Sequence, residues 1–415
     1  MINIDDKEKL VQFMEGSLKP DEEGKKKFGE VFTPIYLINK ILDKLPIEIW
    51  KKKEYKWLDP GCGIANFTII IYYRLMESLK NDIKNTEKRK KHILENMLHF
   101  TEMQKKNINI LKEIFQSNKY NLNIFQGNFI ECKKFIQFPN KTINNFDIII
   151  GNPPFNDDSG NKGKSHTLWP KFVSNALSML KIDGYLSFIH PCSWRKMNSE
   201  IGMEMRNRQI VYLEMSDIAD GRKVFRCNTD FDWYIIKNCE YNHPTKILDY
   251  DKIESEINLK NWKFIPNKLF NEINQLINHD KPRLDVNYYR SSYGADKDWV
   301  STEKKKPYLF PVIYSIGKEG NLKLRYSSTN QNGHFGRTKF IFTNGAGFYC
   351  DNDGKYGLTQ WAYCIYDNVE NLGLIENCFR SEAFRRVVEA IKLDSSAYNI
   401  DVMKLFPKDF YLSFQ

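Results

Sequence analysis

Over the first 240 residues, short apolar runs alternate with longer amphipathic stretches. The β-type runs fall at 55–59, 97–102, 122–126, 145–151, 184–190, 210–216 and 231–237, and helical patterns lie between them at 34–45, 64–79, 104–116 and 168–180. Alternation at this spacing predicts an α/β domain whose mostly parallel, doubly wound sheet is covered by helices on both faces. Phe146-Asp147-Ile148-Ile149-Ile150 has no polar alternation in its apolar run, as expected of a central strand buried on both sides. The pattern fades into a polar stretch near residues 240–265 (Asn242-His243-Pro244, Asp249-Tyr250-Asp251), and the boundary is expected there, giving domains 1–245 and 246–415. Beyond it come aromatics, glycines, strand-like runs at 308–315, 338–343 and 360–366, and a helical segment at 371–393, which together predict a mixed α+β second domain.

Composition narrows the classes. The 415 residues suit two domains, and 41% hydrophobic with 27% charged residues are those of a soluble globular protein. No run of 18 apolar residues is present, so a membrane span is not expected. The acidic start Met1-Ile2-Asn3-Ile4-Asp5-Asp6 argues against a signal peptide and points to the cytoplasm, or to host cytoplasm or nucleus for a viral protein. The eight cysteines form no CxxC pair and the seven histidines no HxxxH pair, so no metal is expected and the thiols read as reduced core residues.

A net charge of +10 favours a polyanionic partner. The basic surplus is local: residues 283–339 hold eleven Lys and Arg against five Asp and Glu, whereas residues 351–415 hold seven against ten. In the basic segment the cations lie among Tyr288, Tyr289, Ser291, Ser292 and Tyr293, a mixture suited to phosphate contact and groove-edge hydrogen bonding. Arg290, Arg337 and Lys339 are the candidate contacts to such a polyanion.

Three motifs carry the candidate chemistry. In Trp57-Leu58-Asp59-Pro60-Gly61-Cys62-Gly63-Ile64-Ala65-Asn66-Phe67 a strand ends at Asp59, turns on Gly61 and Gly63, and enters a helix. Such a turn lets backbone approach a ligand and aims helix amides at an anion, though it fits plain tight turns as well. Glu102, at the tip of the next strand, stands where a doubly wound fold reads ribose hydroxyls. Gly151-Asn152-Pro153-Pro154-Phe155 delivers a polar Asn from a buried strand onto two prolines and an aromatic ring. The prolines fix φ and remove N–H donors, which leaves a rigid pair of acceptors beside a stacking face.

Asn-Pro-Pro-Phe downstream of Asp-Pro-Gly-Cys-Gly resembles the amino-methylating class I methyltransferases. Gly29-Glu30-Val31-Phe32-Thr33-Pro34 is similar to their G-x-x-F-T-P closing motif, and Asp183-Gly184-Tyr185 through Pro191-Cys192-Ser193-Trp194 to a later conserved-type strand of that family. Closing motif, cofactor motif, catalytic motif and then a C-terminal domain is the order of the gamma-class N6-adenine DNA methyltransferases of restriction-modification systems. Gly336-Arg337-Thr338-Lys339-Phe340 through Gln360 looks like their target-recognition domains.

The resemblance implies a seven-stranded class I sheet, S-adenosylmethionine as cofactor, double-stranded DNA as partner, and any cognate restriction endonuclease in a separate chain. It implies cofactor binding by Phe32, Thr33, Pro34, Asp59, Gly61, Gly63, Glu102, Asn128 and Phe129. Asn128 stands where the family usually has Asp, and Ala65 where it has a third glycine. Asn152 and the Pro153 carbonyl would accept from the adenine amino group, with Pro154 and Phe155 completing the motif and Phe155 stacking on a flipped base. Phe231 or Trp233 would close its other face. The same motif serves rRNA adenine and protein glutamine N5 methylation, a Ser-Pro-Pro form serves cytosine N4, and a non-catalytic DNA specificity subunit is the alternative outside enzymes.

Overall fold

The computed structural model describes residues 3–16, 32–132, 134–157, 166–288, 293–294, 296–317, 319–331, 334–345, 347–393 and 396–415. The chain forms two compact units, Met1–Trp194 with Asn198–Trp262, and Arg195–Met197 with Lys263–Gln415. No helix among the described residues is long and apolar enough to cross a membrane.

The first unit is built on a nine-stranded sheet. Its strands are β1 (Trp57–Pro60), β2 (Leu98–Glu102), β3 (Asn123–Gln126), β4 (Phe146–Gly151), β5 (Leu180–Pro191), β6 (Arg208–Ser216), β7 (Phe231–Glu240), β8 (Thr245–Leu248) and β9 (Glu254–Ile257). They lie in the order β9-β8-β6-β7-β5-β4-β1-β2-β3. Strands β1 to β5 run parallel, and β7 is antiparallel to both neighbours, β5 and β6. The α/β expectation is met, with two strands more than the seven expected.

The extra pair, β8 and β9, is a hairpin on the edge of β6, so the unit runs to Trp262, past the expected boundary at residue 245. Asn242-His243-Pro244, read as a linker, is a tight connection: the Gln209 side-chain oxygen accepts from the amides of Asn242 (2.9 Å) and His243 (3.1 Å).

Helices α1 (Ile35–Asp43), α2 (Asn66–Ser78), α3 (Lys105–Ile114) and α4 (Trp169–Met179) lie within the four helical patterns expected from sequence. Strand β5 starts four residues earlier than expected because α4 runs directly into it. Gly184 lets the strand pass the Asp147 carbonyl, which would stand 2.7 Å from a Cβ at that position. Strand order reverses between β1 and β4, the crevice where open α/β sheets bind ligands at the carboxyl ends of their strands. Register aligns those ends: Leu58 pairs with Ile149, and Pro60 with Thr101, which brings Gly61, Glu102 and Asn152 to one edge.

The second unit is mixed α+β. Strands β10 (Phe310–Ile316) and β11 (Leu322–Ser327) pair antiparallel, and β12 (Lys339–Thr343) lies between β13 (Phe348–Asp351) and β14 (Ala362–Tyr366). An aromatic cluster packs under β12, with Phe340 4.6 Å and Phe342 5.3 Å from Phe379 between ring centres. The helix expected at 371–393 is two helices, Val369–Arg380 and Glu382–Ile391. Ser381 breaks it and caps the second by accepting from the Phe384 amide at 3.1 Å.

Candidate functional site

After β1 the chain passes Gly61 (φ +68°) and Gly63 (φ +54°), in the left-handed region that favours glycine. The tip of β2 holds this turn. The Gly61 and Cys62 amides donate to the Thr101 carbonyl at 2.9 and 3.0 Å, and the Gly63 amide donates to Glu102 Oε2 at 2.8 Å. Glu102 Oε1 accepts from the Gln104 amide at 2.7 Å, so the carboxylate fastens the turn as well as lining the cavity beside it. Ala65, in the third-glycine position, is also left-handed (φ +65°) and is buried.

Asp59 is buried beneath the turn and accepts from the Thr68 hydroxyl at 2.8 Å. Burial, helped by the Glu102 charge and opposed by the Thr68 hydrogen bond, pushes its carboxyl up to about 7. Strand β4 passes this carboxyl so closely that a Cβ on Gly151 would lie 2.7 Å from Asp59 Oδ1. Burial also holds the Cys62 thiol neutral, well above its usual range, with the Asp59 and Glu102 charges adding to the effect.

All six residues of β4 are buried, and the strand delivers Asn152 to the same edge. The Asn152 amide nitrogen donates to the Thr33 hydroxyl at 3.2 Å, and the Thr33 carbonyl accepts from Asn66 Nδ2 at 3.4 Å. The Phe155 carbonyl accepts from the Leu168 amide at 2.9 Å, closing the base of the segment between them. Residues 158–165 of that segment lie outside the described residues. The half-buried Phe155 ring meets Phe225 edge-on at 6.5 Å. One cavity is lined by Asp59, Gly61, Gly63 and Glu102 together with Asn152 and Pro154.

Phe32, Thr33 and Phe129 also line it, together with Asn66, Thr101 and Phe172, which sequence reasoning did not single out. Phe172 had a visible signal, the Leu168–Phe172 run in a segment already marked. Asn66 and Thr101 had none apart from adjacency to the glycine turn and to Glu102. Pro34 instead starts α1, its carbonyl accepting from Leu37 and Ile38. Pro153 is buried. Gly29, Glu30 and Val31 of the closing motif lie outside the described residues.

Four expected site residues are placed elsewhere. Asn128 does not line the cavity: its oxygen accepts from the Ile130 amide at 3.0 Å and its nitrogen donates to Glu131 at 3.2 Å, so the side chain caps a short turn. Phe231 is 2% exposed against Phe225 (4.9 Å) and Trp233 is fully buried against Tyr212 (5.0 Å), because β7 is an interior strand with both faces covered. Lys339, expected to contact DNA, is fully buried in an ion pair with Asp351 at 2.6 Å, since β12 is the central strand of its sheet. Arg337 is exposed, with its guanidinium carbon 3.5 Å from the Tyr366 ring centre. Arg290 lies outside the described residues.

The strand order 3-2-1-4-5-7-6 within the sheet, with β7 antiparallel and a glycine turn after β1, is the class I methyltransferase fold. Residues 47–225, which contain the glycine turn, Glu102 and Asn152–Phe155, match the Eco57I restriction-modification methylase family. The resemblance read from the motifs thus extends across most of the sheet-bearing unit. Among solved structures, the fold is similar to that of the type IIL restriction-modification enzyme MmeI in complex with DNA, at 11% identity over 92% of this chain and 68% of that one (TM-score 0.54). It is also similar to the ATP-dependent type ISP restriction-modification enzyme LlaBIII bound to DNA, at 13% identity over 100% of this chain and 40% of that one (TM-score 0.53). A type I restriction-modification system methyltransferase subunit from Streptococcus thermophilus aligns at 14% identity over 60% of this chain and 52% of its own (TM-score 0.40). The chain spans about half the length of the type I modification subunits it matches. No curated protein matches the sequence.

Proposed function

We propose that the protein is an S-adenosylmethionine-dependent DNA methyltransferase acting on the N6 amino group of a flipped-out adenine, with residues 263–415 contributing target recognition. The observation that carries this reading is one cavity bounded jointly by the Asp59–Gly63 turn with Glu102 and by Asn152 with Pro154. The family match over residues 47–225 supports it.

The cavity's chemistry fits the cofactor. Asn66 Oδ1 is buried with no hydrogen-bond partner among the described residues, so the cavity holds an unmet acceptor. With Asp59 and Glu102 it makes an acceptor-rich set suited to ammonium and hydroxyl donors, in a cavity that the apolar rings of Phe129 and Phe172 also line. When bound, S-adenosylmethionine supplies an electrophilic methyl group on a sulfonium.

The rest is positioning by the chain. The amino lone pair of adenine is delocalised into the ring. The Asn152 oxygen and the Pro153 carbonyl, accepting its two N–H bonds, draw it out of the ring plane. Phe155 stacks on the base, and holding the reacting atoms in line supplies much of the acceleration. A stacked duplex base cannot enter such a pocket, so flipping is required.

The test is to incubate duplex DNA with the protein and methyl-labelled cofactor, digest to nucleosides and identify the labelled product. N6-methyladenine at a defined sequence supports the reading. Label in N4-methylcytosine, in RNA alone or in protein alone refutes it.

A further inference from the structure

Asn152 has a problem that its strand does not solve. The oxygen and nitrogen of a side-chain amide have nearly the same shape and opposite polarity, and the terminal torsion of Asn is broad and two-fold. A half-turn would aim N–H donors at the amino group that must be held by an acceptor. Contacts outside Asn152 therefore have to hold its side chain in place.

We propose that the Thr33 hydroxyl is one such contact: it positions the Asn152 side chain and is not a cofactor ligand. The inference rests on the reading of Asn152 given above. The Asn152 nitrogen donates to Thr33 Oγ1 at 3.2 Å, across 119 positions of sequence. Thr33 is a rigid anchor. It is 3% exposed, and its carbonyl accepts from Asn66 Nδ2. The following Pro34, at φ −63° and ψ 146°, begins α1. A β-branched side chain on such a backbone has little rotamer freedom. The same residue therefore ties the start of α2, through Asn66, to the acceptor at the end of β4.

Thr33→Val keeps the branched shape and removes the hydroxyl, Thr33→Ser keeps the hydroxyl, and Thr33→Ala serves should the valine not fold. Cofactor affinity is read by calorimetry without DNA, and kcat on duplex DNA at saturating cofactor. The expected result for Thr33→Val is a kcat lower by roughly tenfold to a hundredfold, in the range for loss of a group that acts only in the transition state. Cofactor affinity should stay within about twofold, and Thr33→Ser should restore turnover. Because Thr33 acts through Asn152, adding Thr33→Val to Asn152→Ala should cause no further loss. Weakened cofactor binding with unchanged kcat would overturn the proposal and make the hydroxyl a cofactor ligand, as would a turnover loss that Thr33→Ser does not repair. Wild-type protein that leaves DNA adenine unmethylated while binding cofactor would remove the reading of Asn152, and the proposal with it.

Discussion

Replacing Asp59 by Asn removes a charge that the fold holds at a disadvantage. Asp59 is 4% exposed and its carboxyl stands at about 7 against an ordinary 3.8, chiefly through burial. A carboxyl raised by folding favours the folded state below 3.8, where it is neutral in both states. That advantage is lost as pH rises toward and through 7, because the unfolded chain releases its proton first. At about 1.4 kcal/mol for each tenfold in proton affinity, the gap between 3.8 and 7 amounts to roughly 4 kcal/mol. Asparagine keeps the oxygen that accepts from Thr68 and has no proton to lose. Urea unfolding of wild type and Asp59→Asn, followed by tryptophan fluorescence, should therefore give curves that diverge between pH 4 and 8. Wild type should lose several kcal/mol relative to the variant over that interval. A cationic ligand in the cavity favours the ionised form, so cofactor binding to wild type near pH 6 should release a proton, visible in calorimetry as a dependence on buffer ionisation heat. Parallel stability curves together with no proton release would mean that burial does not raise the Asp59 carboxyl.

Two further substitutions separate structure from recognition. Gly151→Ala puts a methyl 2.7 Å from Asp59 Oδ1 and should cost about 1–3 kcal/mol by overpacking, measured by urea midpoint, with weaker cofactor binding. In the second unit, Lys339→Ala leaves the buried Asp351 carboxylate without its ion-pair partner and should destabilise that unit by about 3–5 kcal/mol. Arg337→Ala should leave stability nearly unchanged and flatten the salt dependence of DNA binding by about one logarithmic unit per lost phosphate contact. A flattened slope in a folded Lys339→Ala protein and none in Arg337→Ala would reverse that assignment.

The sheet was legible because its central strands announce themselves: Ile148-Ile149-Ile150 tolerates no polar alternation, and the glycine turn after Leu58-Asp59 marks where the strand stops. The turn, Glu102 and Asn152 were legible for the same reason, since each sits at a strand end and strand ends converge in this topology. What was missed depends on partners far along the chain. Lys339 in front of Phe340-Ile341-Phe342 reads as an edge cation, and only its pairing with Asp351 across β12 and β13 makes it internal. Phe231 at the start of a strand reads as available to a base until Phe225 packs against it. Asn128 reads as a ligand for a nucleobase, yet a short turn uses its oxygen locally, as Asn commonly does. The hairpin of β8 and β9 is short and half-polar, and its membership of the sheet is set by β6 rather than by its own pattern.

On the proposed reading, Asn152 accepts from the target amino group while Asp59, Glu102 and the glycine turn hold the cofactor. Single-turnover methylation of one deoxyadenosine in its recognition sequence, with cofactor affinity measured in parallel, tests this most directly for wild type and Asn152→Ala. N6-methyladenine is expected from wild type, with a rate lower by roughly 10²–10³ in the variant and cofactor affinity nearly unchanged because Asp59, Glu102 and the glycine turn are intact. An Asn152→Ala protein that methylates adenine at close to the wild-type rate would contradict it.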